Sequence, residues 1–385
     1  MRICLVSWEY PPLVVGGIAP HVHGIATAYA DAGHDVVVLT RHHPDAPDDS
    51  KIDGVRVLRA HVDLPWVPGD NLVAQVSSGN HKLTALSAKL PQKWRPDVVH
   101  AHDWLVAWAA DTLASLWRKP LVATVHATER GRHQGYITNP MSETINAAEW
   151  WLTYQAQRVI ACSSFMVDEV IGAFSLPGDK VRMIPNGVNA AEWQPGPNAE
   201  RTSTHPLVVT WGRLQYEKGF QTIIEAAVRL RPTHPDLQVV IVGRGSYTDD
   251  LKRLTTAIGA DDVVRFNGFT PDAELKALLH RCSAAVIPSL YEPFGIVALE
   301  ALAAEAPLVA STTGGLGEIL GGTGAAELFT GGDVDGLVAA LGKMIGDPGH
   351  ASSCRAAGVA LVRDLYSWER IAARTLEVYA EVTES

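Results

Sequence analysis

A chain of 385 residues with 42 acidic and 32 basic side chains carries a formal charge of −10, which excludes a protein whose main work is coating nucleic acid, since that needs a basic face. Charged residues at 19% and hydrophobic ones at 47% exclude a disordered or fibrous chain, and at roughly 100–200 residues per domain the length predicts two domains. Cys4, Cys162, Cys282 and Cys354 form no CxxC pair or Cys/His cluster and are expected to be free thiols in a reducing cytoplasm. No run approaches about 18 apolar residues, and Met1-Arg2 leads straight into Ile3-Cys4-Leu5-Val6, too short for a signal-peptide core.

Ile3 to Ser7 has the pattern of a buried strand, followed by a shaped loop, Trp8-Glu9-Tyr10-Pro11-Pro12, that reaches Gly16-Gly17 and a helix through His21 to Ala30. The pair Gly16-Gly17 is not a dinucleotide fingerprint. It allows close backbone approach to a phosphate or sugar, and a purely structural turn explains it equally well. Gly33 closes the helix, and Asp35 to Thr40 is a second buried strand. Residues 41–95 are less regular: Val55 to Leu58 has strand character, and Asp63 to Gly69 reads as a loop.

Two later strands end in polar residues, Pro96 to Trp104 with His102 and Asp103, and Leu121 to Arg130 with His126 and Glu129. Sites in parallel α/β sheets are built at carboxyl ends of strands, so these clusters are candidates, although a lone histidine is more often structural. No carboxylate or cysteine set joins them at three- or four-ligand spacing, and no metal site is expected. Asp333-Val334-Asp335 has the form of a metal-binding pair, but it opens a helix, and capping accounts for it better.

A helix over Glu143 to Gln157, a strand at Arg158 to Ser163, and a strand ending in Pro185-Asn186-Gly187 complete the first half. The segment from Gln194 to Pro206 has linker composition, which places domains at 1–193 and 206–367. The last helix, from about Trp368 to Val382, is assigned to the first domain, as residues 368–385. The second half restarts the alternation with the strand Leu207 to Trp211. Its glycine-bounded loop, Gly212 to Gly219, carries Arg213 and Lys218 ahead of the helix Phe220 to Leu230, where a diphosphate and bulk solvent are both plausible partners. After Gly243-Arg244-Gly245 and a strand near Val263 to Phe269, the apolar run Ala284 to Pro288 turns through Glu292-Pro293-Phe294-Gly295 into a helix containing Glu300. Repeated strand–helix units of this kind imply doubly wound parallel sheets, an α/β fold.

Seven segments in order carry a resemblance: WEYPPLVVGG at 8–17, HAHDW at 100–104, HATERGRH at 126–133, IPNGV at 184–188, GRLQYEKG at 212–219, YEPFGIVALEA at 291–301 and TGGLGE at 313–318. The chain resembles the retaining GT-B glycosyltransferases of family four, with Glu292 and Glu300 as the Glu-x7-Glu signature. Within them it is most similar to actinobacterial α-1,4-glucosyltransferases of the glycogen-synthase-like and methylglucose-polysaccharide type. It departs from bacterial glycogen synthases at Val14-Val15-Gly16-Gly17, where they carry Lys-Thr-Gly-Gly, and at Asn189, where an Asp is usual.

The resemblance implies two Rossmann-like domains facing a central cleft and transfer of a hexose, α-glucose foremost, from UDP-, ADP- or GDP-glucose to a glucan or glucoside. No cofactor and no metal are implied. Arg213 and Lys218 would stabilise the leaving diphosphate and Glu300 would hold the ribose. Glu292, with the amides of Phe294, Gly295, Ile296 and Val297, would orient the sugar. His126 would lie at the reacting face, Gly16 and Gly17 near the phosphate, and Asp103 and Asn186 would support the pocket; Glu9, Tyr10, His102 and Glu129 would line the acceptor side. Two other functions share these features: a lipid or small-metabolite glycosyltransferase with peripheral membrane contact, and a non-catalytic nucleotide-sugar or carbohydrate binder.

Overall fold

The computed structural model describes residues 1–384 except 63–64, 66, 68–70 and 196–204, so most of the loop expected from Asp63 and of the linker after Gln194 lies outside the described residues. The chain divides into two compact units, Met1–Gly187 with Trp368–Ser385, and Val188–Ser367. This division lies ahead of the expected linker because the short helix Ala190–Trp193 packs on the second unit. His280 Nε2 stands 2.9 Å from the Trp193 carbonyl, and Lys276 Nζ lies 5.1 Å from the Trp193 ring.

The first unit is built on eight strands: β1 (Arg2–Ser7), β2 (Asp35–Arg41), β3 (Asp49–Ile52), β4 (Val55–Ala60), β5 (Val98–His102), β6 (Leu121–Val125), β7 (Arg158–Ala161) and β8 (Val181–Met183). Their order is β3-β4-β2-β1-β5-β6-β7-β8. β1, β2, β5 and β6 are buried along nearly their whole length because helices cover both faces of the sheet. The edge strand β3 departs from the all-parallel expectation. Asp53 and Gly54, at φ 48° and 80°, turn the chain in two residues so that β3 pairs antiparallel with β4.

The helix Trp368–Thr383 closes this unit's core against the helix Ile18–Asp31, with Tyr379, Ile371 and Val378 among Val22, Ile25 and Tyr29. Its Tyr379 hydroxyl stands 3.2 Å from that of Tyr29 and 2.6 Å from His100 Nδ1.

The second unit carries β9 (Leu207–Trp211), β10 (Gln238–Val242), β11 (Val264–Gly268), β12 (Ala284–Ile287), β13 (Leu308–Ser311) and β14 (Ala326–Phe329), all parallel, in the order β11-β10-β9-β12-β13-β14. Its core joins Val208, Val239 and Val286 to Phe220, Ile223 and Leu341. In each sheet the first strand has neighbours on both sides that leave in opposite directions, β1 between β2 and β5, and β9 between β10 and β12. Such reversals open a crevice beyond the strand ends, where α/β proteins bind ligands.

Candidate active site

At the reversal in the second unit, the loop after β9 and the turn after β12 are tied together. Leu290 and Tyr291 donate their backbone N–H groups to the Glu217 carbonyl at 2.8 and 3.1 Å. Gly219, at φ 70°, is where the two segments touch: a Cβ there would stand 1.9 Å from the Pro288 carbonyl oxygen. Gly219→Ala is therefore expected to cost about 2–3 kcal/mol, read as a lower midpoint in urea, because backbone must move and a left-handed conformation must be held.

That junction places Lys218 against Glu292. Lys218 Nζ donates to Glu292 Oε2 at 2.8 Å, and Ser289 Oγ donates to the same oxygen at 3.0 Å. Glu292 is 7% exposed, so its charge is held by partners rather than by water. Arg213 lies on the same loop, exposed, with no ion pair among the described residues. The helix Ile296–Ala303 starts just beyond, capped by Gly295. Among the described residues the amides of Phe294, Gly295, Ile296 and Val297 have no acceptor, the first intrahelical donor being Ala298 to Gly295. Gly315 N–H donates to the Glu292 carbonyl at 2.9 Å, so the TGGLGE segment braces the turn. An exposed guanidinium, an ammonium held in place by Glu292 and a row of unfilled N–H donors suit an oxyanion.

Glu300 lies one to two turns down that helix. Burial pushes its carboxyl up to about 7, opposed by the Trp211 indole, whose Nε1 is 3.5 Å from Oε2. The Asp333-Val334-Asp335 pair is used locally: Asp333 accepts from Gly336 N–H at 3.0 Å as a helix cap, and Asp335 pairs with Arg229.

At the reversal in the first unit, β1 and β5 end together at Ser7 and His102. The loop that follows β1 is organised by Glu9, whose Oε2 accepts from Val15 N–H at 2.9 Å and Gly16 N–H at 3.1 Å. The amide of Gly16 is thus committed to Glu9, and Gly17 serves as N-cap of the helix Ile18–Asp31. Tyr10 is buried in the core, 1% exposed, with its ring edge against His23.

Asp103 sits at φ 63°, a conformation uncommon without glycine, and its Oδ1 accepts from the His126 backbone N–H at 2.7 Å. Burial raises the Asp103 carboxyl to about 6, with Arg132 pulling it back. Burial and the Arg132 guanidinium push the His126 imidazole down to about 3. His126 therefore presents a neutral ring. His102 Nδ1 lies 3.3 Å from His126 Nε2, and His21 sets its ring edge-on to His126 with centroids 4.6 Å apart. Burial also holds His21 and His102 well below the usual imidazole range. Asn186 is buried, and its side chain is a hydrogen-bonding neighbour of the His21 ring.

Glu129 is committed to an internal network. Ser142 Oγ donates to its Oε1 at 2.6 Å, His133 Nε2 stands 3.1 Å from the same atom, and Arg132 lies 3.7 Å from Oε2. Its backbone N–H donates to both oxygens of Glu149, whose carboxyl burial raises to about 8. His21, Arg132, Glu149, Trp211 and Ser289 were not expected at these clusters. His21 alone had a local signal, its place one turn into the helix that follows Gly16-Gly17.

Two sheets of this topology, with ligating groups at the strand reversals, make up the fold of nucleotide-sugar-dependent GT-B enzymes. Residues 15–192 match the family model described as Glycosyltransferase Family 4, and residues 197–359 that described as Glycosyl transferases group 1. Glycogen synthase of Mycobacterium tuberculosis is 43% identical across 98% of this chain and 94% of its own. Alpha-maltose-1-phosphate synthase of Mycolicibacterium smegmatis is 30% identical, each chain being covered in full. Among solved structures, sucrose-phosphate synthase from Thermosynechococcus elongatus superposes with a TM-score of 0.85 at 25% identity, covering 100% of this chain and 99% of its own. The chain belongs to the family-four, group 1 glycosyltransferases, and it is a hexosyltransferase. No described helix is long and apolar enough to cross a membrane.

Proposed function

We propose that the protein is a cytoplasmic enzyme that transfers α-glucose from a nucleoside-diphosphate glucose to a glucan or glucosylated acceptor, with retention of configuration and without a divalent metal. The observation that carries it is the Lys218–Glu292 pair at 2.8 Å beside exposed Arg213 and the unfilled amides of 294–297. The difficult step is breaking the bond from the anomeric carbon to the diphosphate, with negative charge growing on the departing oxygen. Fixed cations and N–H dipoles stabilise that charge as it develops, the service a metal ion provides elsewhere.

In this scheme Arg213 and Lys218 bind the diphosphate. Glu292 receives sugar hydroxyls and keeps Lys218 in place, and Glu300 accepts from the ribose. The departing diphosphate takes the acceptor's proton on the same face from which it leaves, so no covalent glycosyl-enzyme is required. His126 faces the transferred sugar as a neutral imidazole, with Asp103 fixing its backbone; Gly17, His102 and Asn186 shape the surroundings. Glucose as the sugar, and a glucan as acceptor, are favoured by the 43% identity to a glycogen synthase. A sugar-phosphate acceptor is the second reading, favoured by the relative named for making maltose 1-phosphate.

The deciding experiment offers UDP-, ADP- and GDP-glucose, with mannose and GlcNAc counterparts, and measures released nucleoside diphosphate with maltooligosaccharide, glucose 1-phosphate or no acceptor, in chelator throughout. Expected is release from one glucose donor that rises at least about tenfold with maltooligosaccharide, a difference of about 1.4 kcal/mol in barrier. Silence with every donor would remove the proposal, and stimulation by glucose 1-phosphate alone would move it to the second reading.

A further inference from the structure

The His21–His102–His126 cluster contains more lone pairs than the transfer reaction uses. The two ring nitrogens of His21 share one neighbouring hydrogen-bonding side chain, Asn186, so one of them is left over, and Nε2 of His102 is buried without a hydrogen-bond partner among the described residues. Buried polar atoms are rarely left so, and an ion or water is a common reason. His21 and His102 are 4% and 0% exposed, while His126 is the partly exposed member of the trio. One nitrogen from each ring lies within 4.8 Å of the other two.

The separation of His102 Nδ1 and His126 Nε2, 3.3 Å, is long for a hydrogen bond between rings. It is the spacing of two ligands on one tetrahedral ion: at metal–nitrogen distances of about 2.0–2.1 Å, tetrahedral ligands stand about 3.3–3.4 Å apart. The rings are also held in place by their surroundings. His21 is wedged against Trp368 with centroids 5.3 Å apart, and His102 lies over His100, whose Nε2 and Nδ1 are engaged by Thr124 and Tyr379. Asp103, bonded to the His126 backbone, supplies a carboxylate beside the trio; Arg132 is the opposing charge.

We propose that His21, His102 and His126 form a site for a divalent transition metal, zinc foremost. His102 Nδ1, His126 Nε2 and one nitrogen of His21 serve as ligands, and the fourth position opens on the His126 side. Three neutral imidazoles with one open position suit zinc, copper or nickel and are poor for magnesium or calcium. The ion occupies the nitrogen of His126 and so blocks transfer rather than assisting it. That consequence rests on the role given to His126 above, whereas the metal site itself does not.

The test uses untagged, chelator-treated full-length protein. Equilibrium dialysis against Zn2+ should give one bound equivalent, and Co2+ should give the visible d–d absorption of tetrahedral coordination. Both should be lost in His21→Gln and in His126→Gln, with folding checked by the thermal midpoint, and kept in His61→Ala. The last variant controls for His42, Asp48 and His61, a second His/Asp group at the end of β2 and β4. No stoichiometric binding, or binding lost in His61→Ala and kept in His21→Gln, would overturn the site. If zinc binds as expected and transfer continues at full rate, the metal site stands and the role of His126 falls.

Discussion

Lys218→Ala is expected to lower kcat about 10²–10³-fold, the usual cost of removing one preorganised group that stabilises developing negative charge. The donor KM should change much less, because the cation matters most when the diphosphate carries its full charge. Part of the loss comes from Glu292: without the ammonium at 2.8 Å its carboxylate keeps, among the described residues, only the Ser289 hydroxyl as a partner while 7% exposed. Lys218 retains some solvent exposure, which moderates the stability cost to about 1–2 kcal/mol. Glu292→Gln should also be slow, for a different reason, since the amide offers one acceptor and leaves Lys218 without its counter-charge. Because each residue positions the other, the double variant should fall short of the product of the two single effects. Initial rates with saturating donor decide this. A Lys218→Ala enzyme within about threefold of wild type would separate the pair from catalysis, since that is well under 1.4 kcal/mol of barrier.

A second large effect is expected from pH. The Glu300 carboxyl has an unperturbed value of 4.5 and is raised to about 7, first by burial, with the Trp211 indole opposing. Between those values the folded protein holds a proton that the unfolded chain has lost. The group's contribution to stability therefore declines as pH rises from 4.5 to about 7 and is level beyond. Donor binding runs in the opposite direction. Only the ionised carboxylate accepts from both hydroxyls of a ribose, and below about 7 the donor must first expel the proton. Donor KM should thus fall about tenfold from pH 6 to 8, and Glu300→Gln should raise KM about tenfold at pH 8 and flatten the profile. A Gln variant whose KM still follows pH as the wild type does would show that another group is titrating.

The segments around these residues were legible in sequence because each strand end is marked by a switch from apolar to polar residues within two or three positions. Gly212 to Gly219 and Ser289 to Ala301 announce a loop and a helix start without any partner. Their mutual bonding was not legible. Leu290 to Glu217 and Lys218 to Glu292 span more than 70 positions, and the two glutamates, read as two clamps on one donor, conceal that one of them already holds a lysine. Residues 41–95 were hard for a local reason. The helix Leu72–Ala85 contains Ser77, Ser78, Gly79 and Asn80, poor helix formers, and is held by tertiary bonds: Asn80 donates to the Leu105 carbonyl at 2.8 Å and accepts from Ala109 N–H at 2.8 Å. The hairpin at Asp53-Gly54 did have a local signature, the Asp-Gly pair of a two-residue turn, obscured by the charged sequence of β3. Glu9 shows the same limit on the site: nothing nearby in sequence distinguishes a carboxylate that meets substrate from one that shapes a loop.

The place of the helix Trp368–Thr383 sets an order of events during synthesis. Its Tyr379 supplies partners to His100 and Tyr29, residues made more than 250 positions earlier. The ribosome must complete the whole of Val188–Ser367 before this piece emerges. The amino-terminal unit therefore waits with all eight of its strands made but the groove along the helix Ile18–Asp31 uncovered, while the later unit can complete its own core. Chaperone dependence and the damage done by carboxyl-terminal truncation should accordingly fall on the part of the protein translated first.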